Sequence, residues 1–500
     1  MTQPPYGPQP PPPDPAPAPV PPQPVPVIPP APPTPPGPPV PAPADLPLRT
    51  SRTVQGNVLA GFNKDHQAFR LVALPADPKT SRGWLAGVLG QVAVNQDVED
   101  WNQNFSAARQ ANGGSDPADM HVVWVGLSLT TAGIELLAND PQVTTDLAPF
   151  TSLVNGAAGQ AAALGDTGPA DWRFGNPQNP VVHAIVTVAG DRLDELAEKL
   201  TTLDVLDSTH GVSLLFTQDG NTLPAPLTGH EHFGFKDGIS QPGVTGFHET
   251  GPDGDRKGHP GTKMTAPGEF VFGHPTAHGT PRPAPAWMTD GSIHVMRRLE
   301  QDVKAWRTQL ATFAAQTIPP TTPDRLGPLF MGRQLDGNPL ADPTDPAAGH
   351  GPDNNAFDFH QDAEGTVTPC PAHIRKTNPR AFAPSAPRLM RRGIAFGMPF
   401  DTDPEQERGL AFHCFVTSLE EQFEFIQSSW VNSPGFAGGT GPTGPDPVIG
   451  TDGIVNLAVA DGTHGALSMQ RFVRTCGALY ALTLSLPTLR ALAAGTSLPR

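Results

Sequence analysis

"VVHAIVTVAGDRLDELAEKLTTLDVLDSTHGVSLLFTQDG", residues 181–220, changes its hydrophobic period twice, and those two changes decide the fold. Residues 181–190 form an apolar run rich in β-branched side chains and read as a strand. From Asp191 the spacing becomes helical, with Leu193, Leu196, Leu200 and Leu203 marking one face. At "GVSLLFTQDG" (211–220) the chain returns to strand character and ends at a turn. Upstream, "AFRLVAL" (68–74) and "HVVWVGLSL" (121–129) carry the same strand signature. This order predicts an α+β fold in which an antiparallel sheet carries helices on one face, in the ferredoxin-like manner.

A second copy of the pattern follows. "SIHVMRRL" (292–299) reads as a strand, and the next helix carries Val303, Trp306, Leu310 and Phe313 on one face. "RGIAFG" (392–397) and "GLAFHCFV" (409–416) read as strands. Ser418 with Glu421 predicts a capping box opening a helix whose Leu419, Phe423, Ile426 and Trp430 share a face. "GALYALTLSLP" (477–487) closes the sheet. The expectation is two ferredoxin-like halves, 52–225 and 226–500, with antiparallel sheets and peripheral helices. The loop-rich stretch 244–372 is available to cover a cofactor.

Residues 1–47 stand apart: they hold more than a third of the chain's 64 prolines and few bulky apolar residues. Such a segment predicts a stiff, solvated, disordered arm that cannot repay its ordering by burial. The first cation is Arg49, and no apolar run approaches the roughly 18 residues of a membrane span. A cytoplasmic chain without membrane attachment is therefore expected. The net charge of -16 argues against a nucleic-acid partner, and Cys370, Cys414 and Cys476 suit reduced thiols.

"CPAHIRKTNPR" (370–380) places His373 between a cysteine and three cations. Zinc needs three or four ligands, and Cys370 with His373 supplies two; His230 and His232 lack a companion set. Covalent haem attachment needs two cysteines, and here there is one. A single axial ligand to a metal held in another way survives. "GFKDGISQPG" (234–243) sets Asp237 in a glycine-bounded turn, from which its carboxylate can project over a cavity. On a strand, Arg391 and Arg392 point to opposite faces, so one enters a pocket and the other meets solvent. The arginine that enters would pair with Asp237.

"GFKDGISQP", "RRLEQDV" (297–303), "HIRKTNPR" (373–380), "RRGIAFG" (391–397) and "SLEEQFEFIQSSWVN" (418–432), in this order, resemble the dye-decolorizing peroxidase family. The resemblance runs through most of the chain after residue 52. It implies a dimeric α+β barrel of two ferredoxin-like halves, with one non-covalent haem b per chain in the C-terminal half. Carried over, it makes His373 the iron ligand, Asp237 the distal acid and Arg391 the distal arginine. Leu410 and Phe412 would line the distal haem face, and Asp446 would receive the other ring N–H of His373. Arg375, Lys376 and Arg380 would offer charge to the two propionates. The implied activity is reduction of hydrogen peroxide with oxidation of dyes, phenols or other bulky organic electron donors. Haem delivery or iron release on the same fold is the alternative, and neither needs the Asp237 and Arg391 pair. A homo-oligomer, and docking of the proline-rich arm to a partner or a protein shell, are further expectations.

Overall fold

Strands alternate with helices along the chain as the apolar periods require, and the computed structural model describes them over residues 46–341, 351, 354–380, 386–438 and 443–500. The first 45 residues, and so nearly all of the predicted arm, lie outside the described residues. In the first half, β1 (His66–Ala73), β2 (Val123–Leu129), β3 (Ala184–Gly190) and β4 (Ser213–Asn221) form the sheet. All seven residues of β3 are buried, because helices cover one face and the curled interior of the sheet covers the other. Two short strands, β5 (Gly243–Val244) and β6 (Met264–Thr265), pair in parallel in the connecting segment. The second half contributes β7 (Ser292–Gln301), β8 (Met390–Arg391), β9 (Ile394–Phe396) and β10 (Gly409–Val416). A small hairpin of β11 (Gly453–Ala458) and β12 (His464–Met469) precedes the closing strand β13 (Val473–Thr483).

The main sheet runs β4-β1-β3-β2-β13-β7-β10-β8, with β9 also on β10, and every pairing in it is antiparallel. Read within each half, fourth strand, first, third, second is the ferredoxin-like order, and it occurs twice. The halves join where Leu482 of β13 pairs with Leu129 of β2. At its ends the sheet curls on itself. Phe69, Leu71, Ile185, Met296, Ile394, Phe396, Leu479 and Ala481 pack as one interior cluster. A Cβ built on Gly220 of β4 would lie 2.3 Å from Ile394 Cγ2 of β9, so the two ends meet by side-chain packing rather than through the hydrogen-bonded ladder. Arg298 Nε of β7 donates to Gln218 Oε1 of β4 across the interior at 2.9 Å.

Several local expectations change. The folded body begins before residue 52: Leu48 packs with Val54, Val58, Val244 and Phe270. Helix Leu193–Thr209 buries Leu196 and Leu203, but Leu193, at its first turn, is 60% exposed. Only half of the capping box forms. Ser418 Oγ accepts from Glu421 N–H, but Ser418 N–H donates to Gln422, and Glu421 turns to Arg282. The segment that follows winds as wide π turns over Leu419–Phe423 and Ile426–Val431 while keeping Leu419, Phe423, Ile426 and Trp430 buried. Among the described residues, no helix is long and apolar enough to cross a membrane.

Candidate active site

His373 opens the short helix His373–Thr377. Its Nδ1–H donates to Asp446 Oδ2 at 2.8 Å. Asp446 is 2% exposed, and its second oxygen accepts from the backbone N–H groups of Val448 and Ile449 at 2.7 and 3.1 Å. The sequence "DPVIG" explains this local turn: Pro447 presets the backbone and the aspartate folds onto the amides two and three residues ahead. Burial alone would lower the basicity of His373, but the Asp446 charge and hydrogen bond outweigh it and the pKa rises. With Nδ1 committed, Nε2 is the ring nitrogen left for a metal.

His373 lines a cavity of about 820 Å³ together with Asp237, Arg391, Leu410 and Phe412, while Asp446 stands behind the histidine. Leu410 and Phe412 reach it because alternate residues of β10 share a face. Asp237 is held by its turn: Gly238 adopts φ +77°, and its N–H donates to Asp237 Oδ1 at 2.6 Å. Arg391 Nη1 lies 3.4 Å from the same Oδ1. Gln241 clamps the two segments together, donating to Arg391 C=O at 2.9 Å and accepting from Arg391 N–H at 3.2 Å.

Of the three cations in the 370–380 stretch, Arg380 lines the cavity and Arg375 and Lys376 do not. Arg375, expected at the cofactor, points elsewhere. Its guanidinium donates to Asp362 and to the carbonyls of Ala363, Thr368 and Ala437. Lys376 is equally withdrawn, with Nζ on Ser433 C=O at 2.6 Å. At about 100° per residue, Arg375 sits roughly 200° around the helix from His373 and so faces away from it. Arg392 also departs from expectation: instead of meeting solvent it donates to the carbonyls of Asn57, Val58 and Leu59, capping the C-terminal end of helix Gly56–Leu59. His232 is buried with Nε2 on Phe396 C=O, and no metal-holding group of three His, Cys, Asp or Glu residues occurs among the described residues.

Two arginines that sequence reasoning missed, Arg333 and Arg388, join Arg380 on the cavity wall. Burial, and then repulsion from Arg333 and Arg388, pushes the Arg380 pKa down to about 9, and its buried Nε has no hydrogen-bond partner among the described residues. Such a cluster fits an anionic group. Nothing in the local sequence around Arg333 or Arg388 signals this role. Arg333 and Arg380 converge on Asn355, whose side-chain oxygen accepts from both.

The residues present therefore fit a porphyrin: a carboxylate-backed imidazole for iron, apolar Leu410 and Phe412, guanidiniums for two propionates, and no cysteine on the wall to bond it covalently. These features define a haem enzyme, and an acid beside an arginine in the same cavity is the equipment of a peroxidase. Residues 53–222 match the DyP dimeric alpha+beta barrel domain, and residues 276–437 match the C-terminal domain of Dyp-type peroxidases. Peroxidase 2 of Mycetinis scorodonius is 31% identical over 430 residues, covering 81% of this chain and 77% of that protein. The dye-decolorizing peroxidase of Exidia glandulosa is 31% identical over 456 residues, covering 85% and 84%. A solved dye-decolorizing peroxidase in complex with 2,6-dimethoxyphenol superposes with a TM-score of 0.74 at 25% identity, covering 89% of this chain and 99% of that one. The chain belongs to the dye-decolorizing peroxidase family and is a haem peroxidase.

Proposed function

We propose that this chain reduces hydrogen peroxide and draws the electrons from dyes, phenols and other bulky organic donors, with Asp237 and Arg391 as the distal catalytic pair. The observation that carries the reading is the Asp237–Arg391 contact of 3.4 Å in the cavity that His373 also lines. Haem, when bound through His373, supplies the redox chemistry of O–O cleavage. Asp237 Oδ2, the oxygen not engaged by Gly238 N–H, takes the proton from the near oxygen of peroxide and returns it to the far one, which leaves as water. The Arg391 guanidinium stabilises the charge that builds on the departing oxygen. Asp446 holds the His373 ring in one tautomer and raises its basicity toward iron. The donor class rests on the relatives' names and on the phenol bound to the solved neighbour.

The proline-rich segment 1–47 serves, on this reading, as a docking element for a partner or a shell, and the enzyme works as a homo-oligomer. The composition of the segment supports the first part. The test of the catalytic reading is the visible spectrum of the haem-loaded chain before and after one equivalent of peroxide, followed by a phenol. A spectral change that the phenol reverses is expected. Iron-free porphyrin as the product would instead make the chain an iron-releasing protein.

A further inference from the structure

A second cavity, of about 380 Å³, adjoins the first and shares Asp237, Gln241, Arg391 and Leu410 with it. Four cations line it, Lys64, Arg256, Arg391 and Arg392, against two carboxylates, Asp65 and Asp237. The pocket is thus locally positive in a chain whose net charge is -16.

Three of those cations are already committed: Lys64 to Asp191 at 2.9 Å, Arg391 to Asp237, and Arg392 to three backbone carbonyls. Arg256 is different. It is half-buried, yet its side chain makes no hydrogen bond or ion pair among the described residues. Nearby carboxylates are spent elsewhere: Glu249 pairs with Lys257 and Arg49, and Asp255 with Lys263. Burial, and then repulsion from Arg49, lowers the pKa of Arg256.

Among the described residues His248 supplies a second unspent donor. Its Nδ1 accepts from Val244 N–H at 2.9 Å, so the proton of the neutral ring sits on Nε2. Burial, followed by repulsion from Arg256, Arg49, Arg392 and His259, pushes its pKa down to about 3 and keeps the ring neutral. A guanidinium fork beside an imidazole N–H suits a planar monoanion. The remaining wall includes Leu59, Phe62, Met390 and Ile394, which suit an apolar body.

We propose that this pocket binds a small organic monocarboxylate, its carboxylate on Arg256 and the Nε2–H of His248 and its apolar body toward Phe62 and Ile394. An uncompensated, partly desolvated cation costs stability, and a bound anion offsets that cost.

Titration calorimetry of the haem-loaded full chain with benzoate tests this, with benzyl alcohol as the neutral probe of the same shape. Wild type binds benzoate and not the alcohol. Arg256→Gln weakens benzoate at least tenfold, Arg256→Lys weakens it less, and His248→Phe, which keeps the ring and loses the donor, weakens it several-fold. The melting temperature of unliganded Arg256→Gln stays level or rises, since only a repelled cation is removed. Equal benzoate affinity in wild type and Arg256→Gln overturns the proposal, and so does equal binding of the alcohol. A lowered melting temperature in Arg256→Gln also overturns it, by making Arg256 a structural residue.

Discussion

The two halves of the molecule share one strand order and differ in regularity. In the first half the second strand, β2, runs unbroken over seven residues; in the second half its counterpart is split into β8 and β9 around Arg392 and Gly393. The helix between β3 and β4 of the first half is regular over Leu193–Thr209, whereas its counterpart after β10 winds as π turns between 419 and 431. Each irregularity lies at the cavity: Arg391 stands at the strand break, and Phe423, Ile426 and Gln427 of the π turns line the wall. The regular half supplies scaffold, and chemistry is built where the ladder and the helix depart from ideal geometry.

The comparison is broken most severely at His373, the proposed iron ligand. His373→Ala should abolish haem retention, read as loss of the Soret band in the purified chain, because the porphyrin then has no side chain on iron. A normal Soret band would transfer that role to another histidine. Next in size is the distal pair: Asp237→Asn keeps its shape but moves no proton, and should slow the stopped-flow reaction with peroxide by roughly 10²–10⁴-fold while haem binding persists.

In the regular half the expected effect is on stability alone. Asp207 accepts from Trp84 Nε1 at 2.7 Å and from Arg70 at 2.6 Å, all three buried. Asp207→Ala should cost about 3 kcal/mol in chemical denaturation, the low end for breaking a buried pair because exposed Asp204 still reaches Arg70. The Soret band should not move. Arg392→Ala should cost about 1–3 kcal/mol by releasing the carbonyls of the Gly56–Leu59 helix, with the peroxide rate nearly intact. A slow peroxide reaction in a fully stable Arg392 variant would reverse the assignments of the two neighbouring arginines. Smallest is Leu193→Ala, within about 0.5 kcal/mol, since that leucine is solvent-facing.

Strands β1, β3, β7 and β13 were legible because their apolar runs are buried on both faces, and the helices because one stripe packs inward. Asp237 and His373 were legible because a glycine turn and a lone histidine among cations are unusual strings. Side-chain destinations were harder to read. Arg375 and Arg380 look equivalent in sequence, yet helical rotation withdraws the first, and Arg380 reaches the cavity after the helix ends, in a left-handed conformation with φ 59°. The carbonyls that capture Arg392 lie more than 330 residues away, a contact no local pattern encodes. Leu193 fits the helical period but precedes the point where the helix meets the sheet.

Gly220 has a meaning for mutational drift. Its absent Cβ leaves the gap through which β4 of the first half reaches Ile394, three residues past Arg391. Any larger residue acts as a wedge against that short segment, which also carries Arg391, and Gln241 ties Arg391 to the turn that holds Asp237. Sequence freedom on the outer edge of one half is therefore limited by the cavity geometry of the other, through a single methyl-sized space.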